Sequence, residues 1–356
     1  MIIGIDASKA ASKKKTGIEH VAYRIILGLS KIDTENKYNL YTNTPLDKIL
    51  LKNKNFNQKL IPFPRLWSRF RLPLALMRDK PDVFIGLTNS TPYTPEKTIV
   101  LLHDLAFKFF PEAYSKYELM LQENAIKIAE KNAAVIVFTS NQNLKDFIKF
   151  YGKPKTKTAV ISLGYNDEIF KNIKAEAPKL PYFLSVGRIE KRKNTLNIVK
   201  AFELFKEQND SNIQLILVGK NGYGSDEVEE SIASSKFKSD IIRPGYIEDK
   251  DLPKLYKNAF ALIYPSIYEG FGFPALEAMA VGTPVLTSNI PTINEVVGDA
   301  ALLVNPKEVK SITKAMNDLV INQSLRKSLI AKGNQVIKKY SWDKTAKEYY
   351  NLITNL

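Results

Sequence analysis

The sequence predicts an α/β protein of two parallel-sheet domains, and three observations carry that expectation. Short apolar runs that read as buried parallel strands alternate with segments of helical apolar spacing, as in Met1–Asp6 followed by Ile18–Leu29. The alternation pauses at a charged stretch bounded by Pro178 and Pro181, and restarts at Tyr182. At 356 residues, the chain exceeds the length over which a single hydrophobic core grows. The expected domains are 1–170 and 181–340, with Lys171–Leu180 as linker and 341–356 as a last helix.

Composition narrows the function classes. An apolar content of 44% with 25% charged residues is that of a soluble globular protein. The absence of cysteine excludes disulfides, thiolate metal sites and cysteine nucleophiles, and two histidines argue against a transition-metal centre. Met1–Asp6 is too short and too early-charged for a signal peptide, and no apolar run reaches spanning length, so a cytoplasmic protein is expected. The net charge of +15 is uneven: residues 1–173 hold 27 Lys/Arg against 16 Asp/Glu, the remainder 25 against 21. Such a basic half attracts nucleic acid, anionic lipid or a phosphorylated substrate, unless it serves only solubility. No DNA- or RNA-binding motif accompanies it, so nucleic acid is not an expected partner.

In the first half, Ala7–Thr16 is a polar loop whose Lys13, Lys14 and Lys15 read as solvated, closed by Gly17. His20 lies on the following helix with no motif around it and reads as structural. Tyr38–Thr42 is a strand. Phe63–Arg78 mixes Trp67 and Phe70 with Arg65, Arg69, Arg71 and Arg78. It reads equally as a core-facing helix with snorkelling arginines or as a surface lying on anionic membrane. Pro81–Gly86 is a strand entering the turn-rich Leu87–Glu96, and Thr98–Asp104 a buried strand that delivers His103 and Asp104 at its carboxyl end. A helix at Glu112–Lys131, a strand at Ala134–Ser140, a helix at Asn141–Tyr151 and a strand at Ala159–Gly164 complete this half.

The second half opens on the strand Tyr182–Gly187. Arg188-Ile-Glu-Lys-Arg-Lys-Asn194 follows, a basic loop before the helix Thr195–Glu207; at a strand's carboxyl end such a loop points to phosphate binding. After the strand Ile213–Gly219, the glycines fall as G-x-x-G-x-G, the wrong spacing for a dinucleotide fingerprint. A strand at Asp240–Pro244 precedes Asp249-Lys-Asp251, which spells a metal-binding D-x-D but stands where it would cap the helix Leu252–Asn258. The strand Ala259–Tyr264 then leads into Glu269-Gly-Phe-Gly-Phe273 and a helix, Ala275–Val281, with Pro274 at its first position and Gly282-Thr-Pro284 at its end. A helix N-terminus at a strand's carboxyl end is an anion seat. Glu269 in the loop and Glu277 in about the first turn bracket it, and carboxylates beside a phosphate make sense as acceptors for hydroxyl groups. A ligand with a diphosphate and several hydroxyls, a nucleotide sugar, explains that mixture. Val285–Ser288 is a strand, Asn289–Ala301 a loop, Ser311–Tyr340 helical, and Ser341-Trp-Asp343 opens the last helix.

The string E-G-F-G-F-P-A-L-E-A-M-A-x-G-T-P-V at 269–285 resembles the E-x7-E signature of family-4 retaining glycosyltransferases of GT-B architecture. His103-Asp104 with Pro111 is similar to that family's H-D-x-x-x-x-x-x-P segment, Gly187-Arg188 with Lys193-Asn194 to its G-R-x-x-x-x-K-N, and Glu295–Ala301 to its P-E-V-x-G-D-A-A. Thr16-Gly17, Gly164-Tyr-Asn166 and Asn294 depart from the family's usual residues. The resemblance implies two Rossmann-like domains facing across a cleft, with the last helix packing back towards the first. It implies transfer of a sugar from a nucleotide sugar to an acceptor hydroxyl, with retention and without a metal. Arg188 and Lys193 would neutralise the diphosphate, aided by N–H groups around Phe271, Gly272 and Phe273. Glu269 would hold sugar hydroxyls, Glu277 the ribose diol, His103 the donor sugar, and the Gly17 loop the diphosphate or acceptor. The pattern is most similar to bacterial polysaccharide mannosyltransferases, which favours GDP-mannose over UDP-sugars. A saccharide or lipid-linked saccharide is the expected acceptor, and peripheral association with the inner face of a membrane fits the basic first half. A glycosidase or a non-catalytic nucleotide-binding protein are the rival classes. The first has no need of the basic loop, and the second none of His103 or Glu269.

Overall fold

Two wholly parallel sheets organise the chain, and both use the same strand order. The computed structural model describes residues 1–12, 15, 17–63, 67–88, 97–165, 167–170, 173–174 and 178–356. Lys13, Lys14, Thr16, Arg65, residues 89–96, Asn166 and much of the expected linker lie outside the described residues, as does the Arg69 side chain.

The first unit is Met1–Gly164 together with Ser341–Leu356. It runs β1 (Ile2–Asp6), α1 (Gly17–Ile32), β2 (Lys37–Thr42), β3 (Phe56–Leu60), α2 (Trp67–Asp79), β4 (Val83–Gly86), β5 (Lys97–Leu102), α3 (Ala106–Phe109), α4 (Lys116–Asn132), β6 (Val135–Phe138), α5 (Asn141–Tyr151) and β7 (Lys157–Val160). The second, Tyr165–Tyr340, runs α6 (Asp167–Phe170), β8 (Tyr182–Val186), α7 (Thr195–Gln208), β9 (Gln214–Val218), α8 (Ser225–Ser234), β10 (Ile241–Gly245) and α9 (Leu252–Asn258). It continues with β11 (Ala261–Tyr264), α10 (Phe273–Ala280), β12 (Val285–Ser288), α11 (Pro291–Val297), β13 (Leu302–Val304), α12 (Val309–Ile321) and α13 (Gln323–Val336). The last helix, α14 (Trp342–Thr354), belongs to the first unit.

The sheet orders are β3-β2-β1-β4-β5-β6-β7 and β10-β9-β8-β11-β12-β13. Each is a Rossmann-like sheet that reverses direction beside its first strand, between β1 and β4 and between β8 and β11. In open sheets, ligands bind outside the carboxyl ends at that reversal. The central strands are buried because helices cover both faces: β4, β6, β11 and β12 are buried at every residue, with Thr287 and Ser288 the polar side chains among them. In the second unit Phe183, Phe202, Phe205, Leu215, Leu286 and Met316 share one core.

The structure corrects several expectations. Residues 165–170 go with the second unit, where the Phe170 ring lies tilted against Tyr256 at 5.6 Å, so the first unit ends at Gly164 rather than at 170. The strand β3 went unread because Asn57, Gln58 and Lys59 lack apolar alternation; at a sheet edge they need none. Helix α4 begins at Lys116, not at Glu112, because Ser115 and Glu118 form a reciprocal capping box. The first unit's last strand is Lys157–Val160 rather than Ala159–Gly164. Asn289–Ala301 is no simple loop, since Pro291 starts α11. The stretch 311–340 is two helices divided at Asn322, whose side chain caps the second through Leu325 N. Asp251 occupies the N-cap of α9 but makes no capping hydrogen bond, so capping does not explain Asp249-Lys-Asp251.

Helix α14 lies against α1 at a point where two glycines clear its path. A Cβ on Gly28 would stand 2.6 Å from the Ala346 Cβ, and one on Gly164 would stand 2.3 Å from the Trp342 nitrogen. Gly28→Ala would gain about 0.5–1 kcal/mol of helix propensity. The overpacking it forces costs about 1–3 kcal/mol, so net destabilisation is expected. Denaturant unfolding of Gly28→Ala, Ala346→Gly and the double variant tests this. The cycle should return a favourable coupling, and a loss at Gly28 indifferent to residue 346 would rule this contact out as the cause.

Candidate functional site

The loops after β8 and β11 meet at the reversal of the second sheet. The backbone arranges this before any charge does. Gly219, at φ 149°, lies so close to the end of β8 that a Cβ there would stand 1.9 Å from the Gly187 oxygen. Only glycine fits. The basic loop then makes a short turn, Lys191–Lys193, and enters α7 through Asn194 in the left-handed region at φ 63°. The Asn194 amide donates to the carbonyls of Pro265 at 2.9 Å and Pro306 at 2.6 Å. Ile267 N donates to the Arg192 carbonyl at 2.9 Å, so the two loops are laced together by main chain.

Glu269 and Lys193 are brought into contact by this lacing. The Lys193 ammonium lies 2.6 Å from Glu269 Oε1 and donates to the Tyr264 hydroxyl at 2.9 Å. The Tyr264 hydroxyl in turn donates to the same carboxylate oxygen at 2.5 Å. Arg192 reaches Glu269 Oε2 at 3.5 Å and Glu190 Oε1 at 2.9 Å. Arg188 stands outermost, its side chain 65% exposed, with Nε 3.6 Å from Glu190. Burial opposes both members of the central pair. For Glu269, Lys193 and Arg192 with the hydrogen bonds outweigh burial, holding the carboxyl below the usual range. For Lys193, burial together with the neighbouring Arg192 outweighs its carboxylate, drawing the ammonium below the usual lysine range. The two outcomes differ because the carboxylate faces two cations, whereas Arg192 opposes the lysine's charge and its carboxylates, Glu269 and the more distant Glu190, do not offset burial. Burial, with the Glu269 charge, also pushes Tyr264 well above the usual phenol range, so it remains a donor.

Helix α10 starts one residue earlier than expected. Gly272 is its N-cap at φ 110°, Phe273 its first residue and Pro274 its second. Phe271 is buried, tilted on Phe273 at 5.3 Å and edge-on to Tyr340 at 5.7 Å, which fixes the peptides that precede the helix. Glu277 therefore lies in the second turn, not the first. It accepts from the Tyr256 hydroxyl at 2.8 Å. Burial and that carboxylate raise Tyr256 far above its usual range, so it holds Glu277 as a donor.

In the first unit, His103 follows β5 and is buried. Its Nε2 donates to the Leu87 carbonyl at 3.0 Å, and its own carbonyl receives Asn143 at 2.7 Å and Thr139 at 3.2 Å. Burial lowers the His103 pKa, leaving a neutral ring fixed in one tautomer. Asp6, at the end of β1, is buried and pushed up by burial; it accepts from the Ser8 nitrogen at 3.0 Å and hydroxyl at 2.6 Å. Gly17 is exposed as the first residue of α1, with open space where a Cβ would stand. Lys9 pairs with Glu19 at 3.3 Å nearby in the same unit. Among the described residues, no three His, Asp or Glu side chains are grouped to hold a metal ion.

Sequence reasoning thus chose Arg188 and Lys193 but passed over Arg192, Tyr264 and Tyr256. The basic run gave no sign of which cations turn inward, and neither Tyr264 at a strand end nor Tyr256 on a helix carries a motif.

The family model described as glycosyl transferases group 1 matches residues 166–336. O-antigen chain mannosyltransferase B of Escherichia coli is 29% identical over 301 residues, which cover 82% of this chain and 79% of that one. O-antigen chain mannosyltransferase RfbU of Salmonella typhimurium is 30% identical over 258 residues, 72% of this chain and 68% of that one. Sucrose-phosphate synthase from Thermosynechococcus elongatus superposes with a TM-score of 0.77 at 19% identity, over 99% of this chain and 98% of that one. WaaG, a glycosyltransferase involved in lipopolysaccharide biosynthesis, gives 0.75 at 16% identity, over 99% of this chain and 100% of that one. At those identities the structural likeness speaks for the fold.

Two outcomes follow from the electrostatics. Lys193→Ala strands a buried carboxylate and should cost about 3 kcal/mol, whereas exposed Arg188→Ala should cost under ~1 kcal/mol. Equal losses in urea unfolding would contradict the assignment of the buried pair. For His103 the lowered pKa sets the sign. The unfolded chain takes up a proton near the ordinary value of 6.5, while the folded first unit resists until lower pH. Stability should therefore fall as pH drops through that value and level off below the folded pKa. His103→Gln should flatten this slope between about pH 7.5 and 5.5, and an unchanged slope would assign it to other groups.

Proposed function

This chain belongs to the group 1 glycosyl transferases, and from that membership we propose that it transfers mannose from GDP-mannose to an acceptor hydroxyl with retention of configuration. Two relatives named as O-antigen mannosyltransferases support the choice of sugar and a role in assembling cell-surface polysaccharide or glycolipid on the cytoplasmic side of a membrane. The observation that carries the reading is the buried Lys193–Glu269 pair at the sheet reversal, flanked by Arg192 and the start of α10. It sets a cation suited to phosphate and a carboxylate suited to hydroxyl groups side by side.

In this reading, donor binding is an exchange of partners. The diphosphate takes Lys193 and Arg188, with N–H groups at Phe271–Phe273, and the sugar hydroxyls take the carboxylate of Glu269 that Lys193 leaves. Glu277, already oriented by Tyr256, accepts from the ribose diol. His103, a neutral ring, contacts the donor sugar, and the Gly17 loop lies toward the diphosphate or acceptor. As the glycosidic bond breaks, the sugar gains oxocarbenium character and the diphosphate gains negative charge. Fixed cations stabilise the second change more than the ground state, which is the condition for catalysis. The acceptor hydroxyl adds to the face the diphosphate leaves, and its proton passes to the departing phosphate oxygen, so configuration is kept without an enzyme nucleophile. Lysine and arginine supply the charge stabilisation that a divalent metal would otherwise give, so transfer should withstand EDTA.

Thermal shift with GDP, UDP and ADP tests the donor. GDP at about a hundredfold over its dissociation constant should add roughly 2.7 kcal/mol and exceed the others. Stronger stabilisation by UDP would redirect the reading to a UDP-sugar enzyme. Glu277→Ala should weaken free GDP at least tenfold by calorimetry, since ribose is common to nucleotide and donor. Glu269→Ala should leave GDP affinity nearly intact and lower turnover. Arg188→Ala should slow single-turnover transfer about a hundredfold or more, ~2.7–4 kcal/mol, with a smaller loss of donor affinity. An unchanged rate at saturating donor would make Arg188 an anchor only.

A further inference from the structure

Helix α2 is apolar on two faces. Inward, Trp67, Leu72, Ala75 and Leu76 pack with Tyr41 and Phe84. Outward, Phe70, Leu74 and Met77 are 60%, 61% and 59% exposed. Their spacing of four and three residues draws them into one line down the helix. Arg71 and Arg78, each the next residue along, form a cationic flank beside that line. The Arg71 guanidinium lies 5.8 Å from the ring of Phe63, itself exposed, and the Arg78 side chain extends into solvent with Nε 2.9 Å from Asp79. From Lys59 to Lys80 the sequence holds six Lys/Arg and one carboxylate, Asp79.

We propose that this face of α2 docks the first unit on an anionic lipid bilayer, with Phe70, Leu74 and Met77 at the acyl boundary and the arginines on lipid phosphates. Three large side chains in a row are an expensive face to leave in water, and such stripes mark interaction surfaces. Arginine stems lie along apolar surface while their heads reach phosphate. A second copy meeting the same face would set two arginine flanks against each other, whereas an anionic surface attracts both. Among the described residues, no helix is long and apolar enough to cross a membrane, so the contact is one that lies on the surface. This inference does not rest on the sugar or nucleotide proposed above, because it is read without either.

The test is flotation of the full chain with vesicles of phosphatidylglycerol and phosphatidylcholine, against phosphatidylcholine alone, at rising salt. The protein should bind the anionic vesicles, weaken as salt screens its charges, and bind phosphatidylcholine poorly. Phe70→Ser with Leu74→Ser and Met77→Ser should cut binding at least tenfold at unchanged melting temperature. Arg71→Gln with Arg78→Gln should also weaken it and reduce the salt dependence, giving a second reading if the serine variant folds poorly. No binding at low salt, binding indifferent to both sets of substitutions, or equal binding to phosphatidylcholine alone would overturn the proposal. So would a serine variant that splits a dimer in sedimentation velocity while vesicle binding persists.

Discussion

A buried ammonium 2.6 Å from a buried carboxylate is the constraint on which the second unit's architecture turns. Removing two such charges from water costs several kcal/mol each, and the pair recovers this only with good geometry and further hydrogen bonds. Those supports are specific. Gly219 lets the ends of β8 and β9 close up, Asn194 accepts a left-handed conformation to turn the chain into α7, and Tyr264 bridges both charges. Hydrophobic packing alone would not demand this arrangement, because an apolar pair of similar volume would be at least as stable. A costly pair at a sheet reversal is better understood as a site held ready than as a staple.

Its composition also bears on how an anion enters. Glu190 and Glu269 face Arg188, Arg192 and Lys193, so the cluster carries an excess of positive charge even when its own carboxylates are engaged. The carboxylates hold the cations in place without a ligand, and under the proposed function a diphosphate would replace carboxylate contacts instead of ordering loose side chains. That lowers the entropic cost of binding, since the rotamers are fixed beforehand.

The chain order of strands and helices was legible because parallel strands covered on both faces are plain apolar runs, as at Ala261–Tyr264. The polar edge strand β3 and the helix starting at Pro291 escaped, since neither shows apolar periodicity of useful length. At the site, the residue types and their strand-end placement could be read. The contacts could not, because Lys193 to Glu269 and Tyr256 to Glu277 are made between distant segments. The orientation of α2 was equally hidden. Apolar residues on both faces gave two overlapping periodicities, and only the fold shows that Leu72 and Leu76 turn in while Phe70 and Leu74 turn out.

Both sheets reverse at the same topological point, yet the strand ends near it carry opposite chemistry. In the second unit, the loops after β8 and β11 gather charge and pair it. In the first, Asp6 and His103 stand at the ends of β1 and β5, and burial opposes the charged form of each. Asp6 is spent on Ser8, and His103 is held by the Leu87 carbonyl as a neutral ring. Burial that disfavours charge at both positions makes them poor partners for a phosphate. Strand order therefore does not decide the chemistry at the strand ends. The division lies in the loops: a glycine-permitted turn with four cations in one unit, and hydrogen-bonded side chains whose charged forms burial opposes in the other.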